Sequence, residues 1–241
     1  MAQYVYGKNV VFNLLKNHRD IKTLYVQDTH SNDEAVQQAR KQGITVRNAT
    51  RQQLDSLVKG NHQGYVAEVM EYPTYSIEDI TAGIPEGKLP LLVALDELKD
   101  PHNLGAILRT VACVGGDGVI IEKNRSVSLN GTVAKVSVGA IDTVKVAQVT
   151  NLVQTLRQLK KQGYWIIGTD VHEASDYRQL DYNMPVVLVI GSEASGMRRL
   201  VSEECDFRIR IPMEGSFESL NASVACGVIL YQIYSQRFPL K

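Results

Sequence analysis

Short apolar runs alternate with amphipathic segments along most of the chain, which predicts an α/β protein built on a parallel sheet. Three observations carry that expectation. Runs such as 91–95 and 186–190 are apolar at every position, the pattern of strands covered on both faces. The segments between the runs carry apolar residues at helical spacing. A stretch broken by Pro73, Gly83, Pro85, Gly87 and Pro90 separates the first seventy residues from the rest. The expected organisation is therefore a small unit over 1–72, a linker over 73–90 and a larger domain over 91–241.

In the small unit, residues 7–17 read as a helix with Val10, Val11, Leu14 and Leu15 on one stripe. Residues 21–26 follow as a strand. Ser31 is placed to cap a helix running to Gln42, with Gly43 as its stop signal. Residues 44–46 are a short strand, 50–59 a third helix and 65–70 a closing strand. In the larger domain the expected strands are 91–95, 119–121, 143–147, 165–168, 186–190 and 207–211. The expected helices are 103–114, 130–138, 151–162, 194–201 and 220–236. Ligands of such sheets bind beyond the carboxyl ends of the strands, so the residues just after strands carry the functional argument.

Composition narrows the classes. Of 241 residues, 44% are apolar and 22% charged, an ordinary globular balance. The longest apolar stretches, 89–95 and 224–231, are far below the ~18 residues a membrane span needs. No signal peptide is visible. Cys113, Cys205 and Cys226 are odd in number and scattered, which argues against a disulfide framework or a zinc site and fits a reducing cytoplasm. No Walker A, G-x-S-x-G or H-E-x-x-H sequence is present. Gly115-Gly116-Asp117-Gly118 follows a helix and precedes a strand, the reverse of a dinucleotide fingerprint.

Three post-strand segments remain. The first runs from Asp96 to Thr110. Asp100-Pro101 and Asn103 suit turn and cap chemistry, whereas Arg109 shares a helical stripe with the small residues Gly105, Ala112 and Gly116. Such an arginine lies where a backbone or a ligand can come close; a solvated surface position is the alternative. The second segment is Gly191-Ser192-Glu193-Ala194-Ser195-Gly196-Met197-Arg198-Arg199. Gly191 permits close backbone approach, and Glu193 would favour a helix N-terminus. The third runs from Ile209 to Ala225 and enters an apolar helix through Ser219, Asn221 and Ser223, with Ser219 a plausible plain cap.

In order and spacing these segments resemble the three motifs of the SpoU/TrmH family, the 2'-O-ribose RNA methyltransferases of the SPOUT superfamily. Motif one, N-L-G-x-I-x-R-T, is met by Asn103, Leu104, Gly105, Ile107, Arg109 and Thr110. Motif two, G-x-E-x-x-G, is met by Gly191, Glu193 and Gly196, and motif three from Ile211 through Ala225. The match covers roughly residues 91–236. Ala194 and Ser195 stand where Gly-Glu is common in the members this chain most resembles, which modify a guanosine of 23S ribosomal RNA.

The resemblance implies an L30e-like substrate-binding unit at the N-terminus, including the turn at His62-Gln63-Gly64. It further implies a SPOUT domain with a C-terminal trefoil knot, a homodimer built around it, S-adenosylmethionine as cofactor and a cytoplasmic location. Thr169, Gly191, Ile211 and Leu220 map onto its cofactor loops. Arg109 takes the hydroxyl-activating role, with Asn103, Glu193, Ser219 and Asn221 orienting it and the ribose. A tRNA 2'-O-methyltransferase, or a non-catalytic RNA-binding assembly factor, are the other readings.

One feature of the charge runs against an RNA partner. Lys+Arg and Asp+Glu are both 26, and binders of polyanions are usually basic. Residues 1–72 hold nine basic and seven acidic side chains, a net of +2, and the remainder −2. Arg198, Arg199, Arg208 and Arg210 read as solvated surface.

Overall fold

The computed structural model describes residues 3–16, 21–69, 72–171, 174–193, 195–216 and 219–239. The chain forms two compact units, residues 1–72 with 129–132 and residues 73–128 with 133–241. The first contains β1 (Gln3–Tyr6), α1 (Lys8–Lys16), β2 (Ile21–Gln27), α2 (Glu34–Lys41), β3 (Thr45–Ala49), α3 (Arg51–Leu57) and β4 (Tyr65–Val69). Its sheet runs β1-β4-β2-β3, with β4 antiparallel to both neighbours and β2 parallel to β3. Every residue of β4 is buried, and its Tyr65 packs with Val11, Leu15, Leu24, Val26 and Val36 in the core. The four-residue β1 has no counterpart in the sequence expectation, and Met70 and His18 lie outside the described residues. Ser31 does not cap α2. A 3-10 turn over Asp28–His30 delays the helix, so Asp33 takes the cap position and its carboxylate accepts the Tyr65 hydroxyl instead.

The second unit holds α4 (Ile77–Thr81), β5 (Leu91–Leu95), α5 (Pro101–Cys113), β6 (Gly118–Glu122), α6 (Gly131–Ser137), α7 (Ala140–Thr143), β7 (Lys145–Val149), α8 (Leu152–Lys161), β8 (Trp165–Thr169), β9 (Ser175–Asp176), β10 (Val186–Ile190), α9 (Arg199–Ser202), β11 (Phe207–Arg210) and α10 (Ala222–Arg237). Its seven strands run β7-β6-β5-β10-β8-β11-β9, all parallel, so all carboxyl ends lie along one edge. β5, β6 and β10 are buried at every position, as their continuous apolar runs require.

Several expected boundaries move. The strand expected at 143–147 begins at Lys145, because residues 140–143 form α7 after the left-handed Gly139. A two-residue edge strand, β9, makes the sheet seven-stranded rather than six-stranded. The helix expected over 194–201 shrinks to Arg199–Ser202. The stretch 73–90 is also more than a connection. Ser76 and Asp79 close a capping box on α4, and Ile77 and Ile80 are buried against Leu92, Ile120 and Ala147.

α10 is buried on one side through Cys226, Ile229, Leu230 and Ile233 and packs against α5. Its other side exposes Val224, Tyr231, Tyr234 and Phe238. The far end is fastened by Arg237, whose guanidinium donates to the carbonyls of Tyr182, Leu89, Pro90 and Met184 at 2.6–3.2 Å. All three cysteines are free, and burial pushes the Cys205 and Cys226 thiols up to about 12. Among the described residues no helix is long and apolar enough to cross a membrane, and no cluster of His, Cys, Asp or Glu is arranged to hold a metal ion.

Candidate active site

The carboxyl ends of β5, β10, β8 and β11 are adjacent in the sheet, and the three motif segments all leave from that edge. α5 begins there because Asp100 accepts the His102 N–H at 2.9 Å and Pro101 occupies the first turn. Turn and cap chemistry thus describes Asp100 and Pro101. It does not describe Asn103, whose side chain is only 4% exposed and reaches across to a residue 90 positions away.

That partner is Glu193. Its Oε1 accepts from Asn103 Nδ2 at 3.0 Å, from Asn221 Nδ2 at 2.5 Å and from the Ala222 N–H at 3.2 Å. Asn221 also donates to Asn103 Oδ1 at 2.9 Å, closing a three-residue cluster across the three motifs. Asn221 Oδ1 meanwhile caps α10 by accepting the N–H groups of Ser223 and Val224. Glu193 is therefore no cap for the segment that follows it; its carboxylate sits at the positive end of α10 instead. Hydrogen bonds to a charged acceptor are the strong kind, so this cluster holds its geometry before any substrate arrives.

Arg109 and Ser219 are not drawn into it. Both are exposed, and among the described residues neither side chain makes a hydrogen bond or ion pair. On α5, Arg109 is six residues beyond Asn103, which places it roughly 9 Å along the axis and about 120° around it. The small residue one turn before it has a packing cause. A Cβ on Gly105 would stand 2.7 Å from Val136 Cβ and 3.0 Å from the Val133 carbonyl, so α6 crosses there. A backbone does come close on that stripe, as its small residues imply.

Of the positions mapped to the cofactor, Thr169 ends β8, Gly191 follows β10 and Ile211 follows β11, three neighbours along the strand edge. Gly191 is buried, and a Cβ there would meet Gly196 C at 2.3 Å. The loop doubles back so tightly because Ser192 and Gly196 exchange two backbone hydrogen bonds, at 3.0 and 2.8 Å. After β11 the chain leaves regular structure. Among the described residues the amides of Met213, Glu214, Gly215 and Ser216 donate to no protein acceptor. Backbone donors of this kind are what a ligand held by loops requires. Leu220 is exposed just before α10.

One group at this edge was not anticipated. Arg198, expected on a solvated helix face, lies in a loop and donates from Nε to Asp96 Oδ1 at 2.6 Å and from Nη2 to Glu122 Oε2 at 2.7 Å. Its side chain is 25% exposed, against 0% for Asp96 and 6% for Glu122. Burial pulls the guanidinium pKa down, but hydrogen bonds and charge from the two carboxylates more than reverse that, for a net rise. Asp96 is the first residue after β5 and Glu122 the last of β6. The available signal was an acidic residue closing each of two apolar runs, Asp96 after 91–95 and Glu122 after 119–121.

An all-parallel α/β domain with polar motifs gathered at one strand edge is the architecture of a ligand-binding domain, its site at that edge. Residues 90–231 match the family model described as the SpoU rRNA Methylase family, and residues 4–75 match the one described as RNA 2'-O ribose methyltransferase substrate binding. The chain belongs to the SpoU rRNA methylase family. It is 46% identical over 241 residues to YacO of Bacillus subtilis (strain 168), which is named for the TrmH family of tRNA/rRNA methyltransferases, covering 98% of this chain and 97% of that one. An S-adenosylmethionine-bound rRNA methyltransferase from Sinorhizobium meliloti is similar in structure, with a TM-score of 0.64, 25% identity, and coverage of 100% and 88% of the two chains. The SpoU methyltransferase AviRb from Streptomyces viridochromogenes shares the fold at a TM-score of 0.64 and 23% identity, covering 98% and 90%.

Proposed function

We propose that this protein transfers a methyl group from S-adenosylmethionine to the ribose 2'-OH of a guanosine in 23S ribosomal RNA. The observation that carries the reading is the cluster of Asn103, Glu193 and Asn221, which ties the three motifs together at the strand edge. Bound S-adenosylmethionine would supply an electrophilic methyl on its sulfonium. Thr169 at the end of β8 and Gly191, Ile211 and Leu220 on loops would hold it. The ribose 2'-oxygen would bond to the methyl as the methyl–sulfur bond breaks with its electron pair left on sulfur, and the hydroxyl proton would pass to solvent water; in-line placement alone supplies much of the rate. A guanidinium carries five N–H donors and no acceptor, so the role of Arg109 is to hold the ribose and its phosphate and to stabilise the alkoxide. Asn103, Glu193, Ser219 and Asn221 shape the wall against which the ribose rests.

Residues 1–72 are taken as the RNA-holding domain, 73–90 as the connection and 91–241 as the knotted methyltransferase domain. The family's homodimer fits the exposed aromatic side of α10. The large-subunit substrate is favoured by the whole-chain resemblance; a tRNA substrate is the rival. Mapping 2'-O-methyl positions in ribosomal RNA and tRNA from cells with and without the protein decides between them. One guanosine of 23S RNA losing its mark is the expected result. A lost mark in tRNA alone would overturn the substrate.

A further inference from the structure

We infer that Asp96, Glu122 and Arg198 form a clasp that sets the shape of the cofactor loop, and that Arg198 is a positioning residue for S-adenosylmethionine binding. The inference rests on the reading of the loop after β10 as a cofactor loop.

Asp96 holds both ends of that loop. Its backbone N–H donates to the Ile190 carbonyl at 2.9 Å, where the loop begins. Its carboxylate accepts the Arg198 N–H at 2.7 Å and the Arg198 guanidinium at 2.6 Å, where the loop ends. Between these points lie Gly191, Glu193 and the backbone pair Ser192–Gly196. Glu122 takes the other side of the guanidinium through Oε2, and its Oε1 accepts the Leu152 N–H at 3.4 Å, extending the clasp to the start of α8. Glu97 stands 3.8 Å from Arg198 Nε and has φ +57°, a left-handed backbone rare for a side chain of its kind.

Stability is a weak reason for such an arrangement. Two carboxylates and one guanidinium are taken largely out of water, and buried ion pairs commonly contribute no more than apolar side chains of the same volume. What they supply is a single register, because each charge has one satisfied position. A loop that binds through backbone groups gains affinity from being held in its bound shape beforehand. The loop has two anchors. Glu193 fixes it toward α5 and α10, and Arg198 fixes it toward β5 and β6. Loss of the second should loosen Gly191 while leaving Glu193 on Asn103 and Asn221.

The test measures S-adenosylmethionine binding by calorimetry on the full chain and on Arg198→Met, Arg198→Lys and Glu122→Gln. Methyl transfer, thermal unfolding and affinity for a 23S RNA fragment without cofactor are followed in parallel. Arg198→Met should raise Kd about tenfold or more, with KM for the cofactor rising alongside and kcat changing less. Lysine cannot span both carboxylates and should recover only part of the loss. Glu122→Gln should weaken binding several-fold, and RNA affinity should stay level in all three. A folded Arg198→Met variant that binds S-adenosylmethionine like the parent overturns the clasp. Should that variant not fold, an unchanged Kd in Glu122→Gln overturns it equally. A parent chain that binds no S-adenosylmethionine overturns the cofactor reading first, and the clasp's role with it.

Discussion

Arg109 and Arg198 are both long cations on motif segments, and the structure gives them opposite surroundings. Arg198 is closed between two buried carboxylates, whereas the Arg109 side chain stands exposed on α5 with no hydrogen-bond or ion-pair partner among the described residues. An unpaired guanidinium costs the fold nothing to remove, since substitutions at such positions usually stay within about 0.5 kcal/mol. Arg109→Ala should therefore unfold at nearly the parent temperature and bind S-adenosylmethionine as the parent does. Methyl transfer should fall by about 100- to 1000-fold, the cost of removing one donor from a developing oxyanion. Steady-state kinetics with RNA measure this, and normal turnover would sink the role given to Arg109. Asn103, Glu193 and Asn221, which three separate motifs name, do meet in the structure. Arg198 was not legible in the sequence, because its partners lie 102 and 76 positions away and nothing local distinguishes a clasped arginine from a solvated one.

At the scale of elements, continuous apolar strands such as Leu91–Leu95 and Val186–Ile190 were legible to the residue. Burial on both faces leaves no other pattern open to them. The loop after β10 was not. Glu193, Met197, Arg198 and Leu200 have good helix propensity, but Gly191 and Gly196 allow a backbone hairpin that Asp96 then locks, and tertiary bonds override the local preference. α10 was legible as an apolar helix, yet the sequence could not say which side was covered. Its buried side faces the domain through Cys226, Ile229 and Leu230; Val224, Tyr231, Tyr234 and Phe238 lie on the exposed one. Tyr231 and Tyr234 are in edge contact at 6.1 Å, and Tyr234 and Phe238 are stacked aslant at 5.0 Å. Four half-exposed apolar side chains in register are costly in water, with about 1.5–3 kcal/mol available for each large one fully covered. If a second copy covers them, the protein should sediment at twice the monomer mass. Tyr231→Glu, which would bury a charge in that contact, should raise the dimer dissociation constant about 100-fold or more. A parent that sediments as a monomer at micromolar concentration would remove the dimer from the proposal.

Over the whole molecule, the neutral charge becomes a statement about how RNA is held. The small excess of +2 over residues 1–72 is all the net positive charge the chain has to offer a polyanion. Many cations are already engaged: Lys22 with Glu68, Lys88 with Asp117, Arg157 with Glu204, Lys160 with Asp206, Arg178 with Asp176 and Arg199 with Glu203. Each of these would have to exchange a carboxylate for a phosphate to add to RNA binding, which yields little net gain. Affinity should then come from the shape of a folded RNA, with few counterions released. Measured against salt, log K for a folded 23S RNA fragment should fall with a slope near −2 to −3, corresponding to about three or four phosphate contacts at roughly −0.7 each. A slope of about −7 or steeper would require some ten cations on the RNA and would contradict the shape-based reading. In that case the ion pairs at Arg199, Arg157 and Lys22 would be the first to test as phosphate ligands, since their side chains are 82%, 63% and 63% exposed.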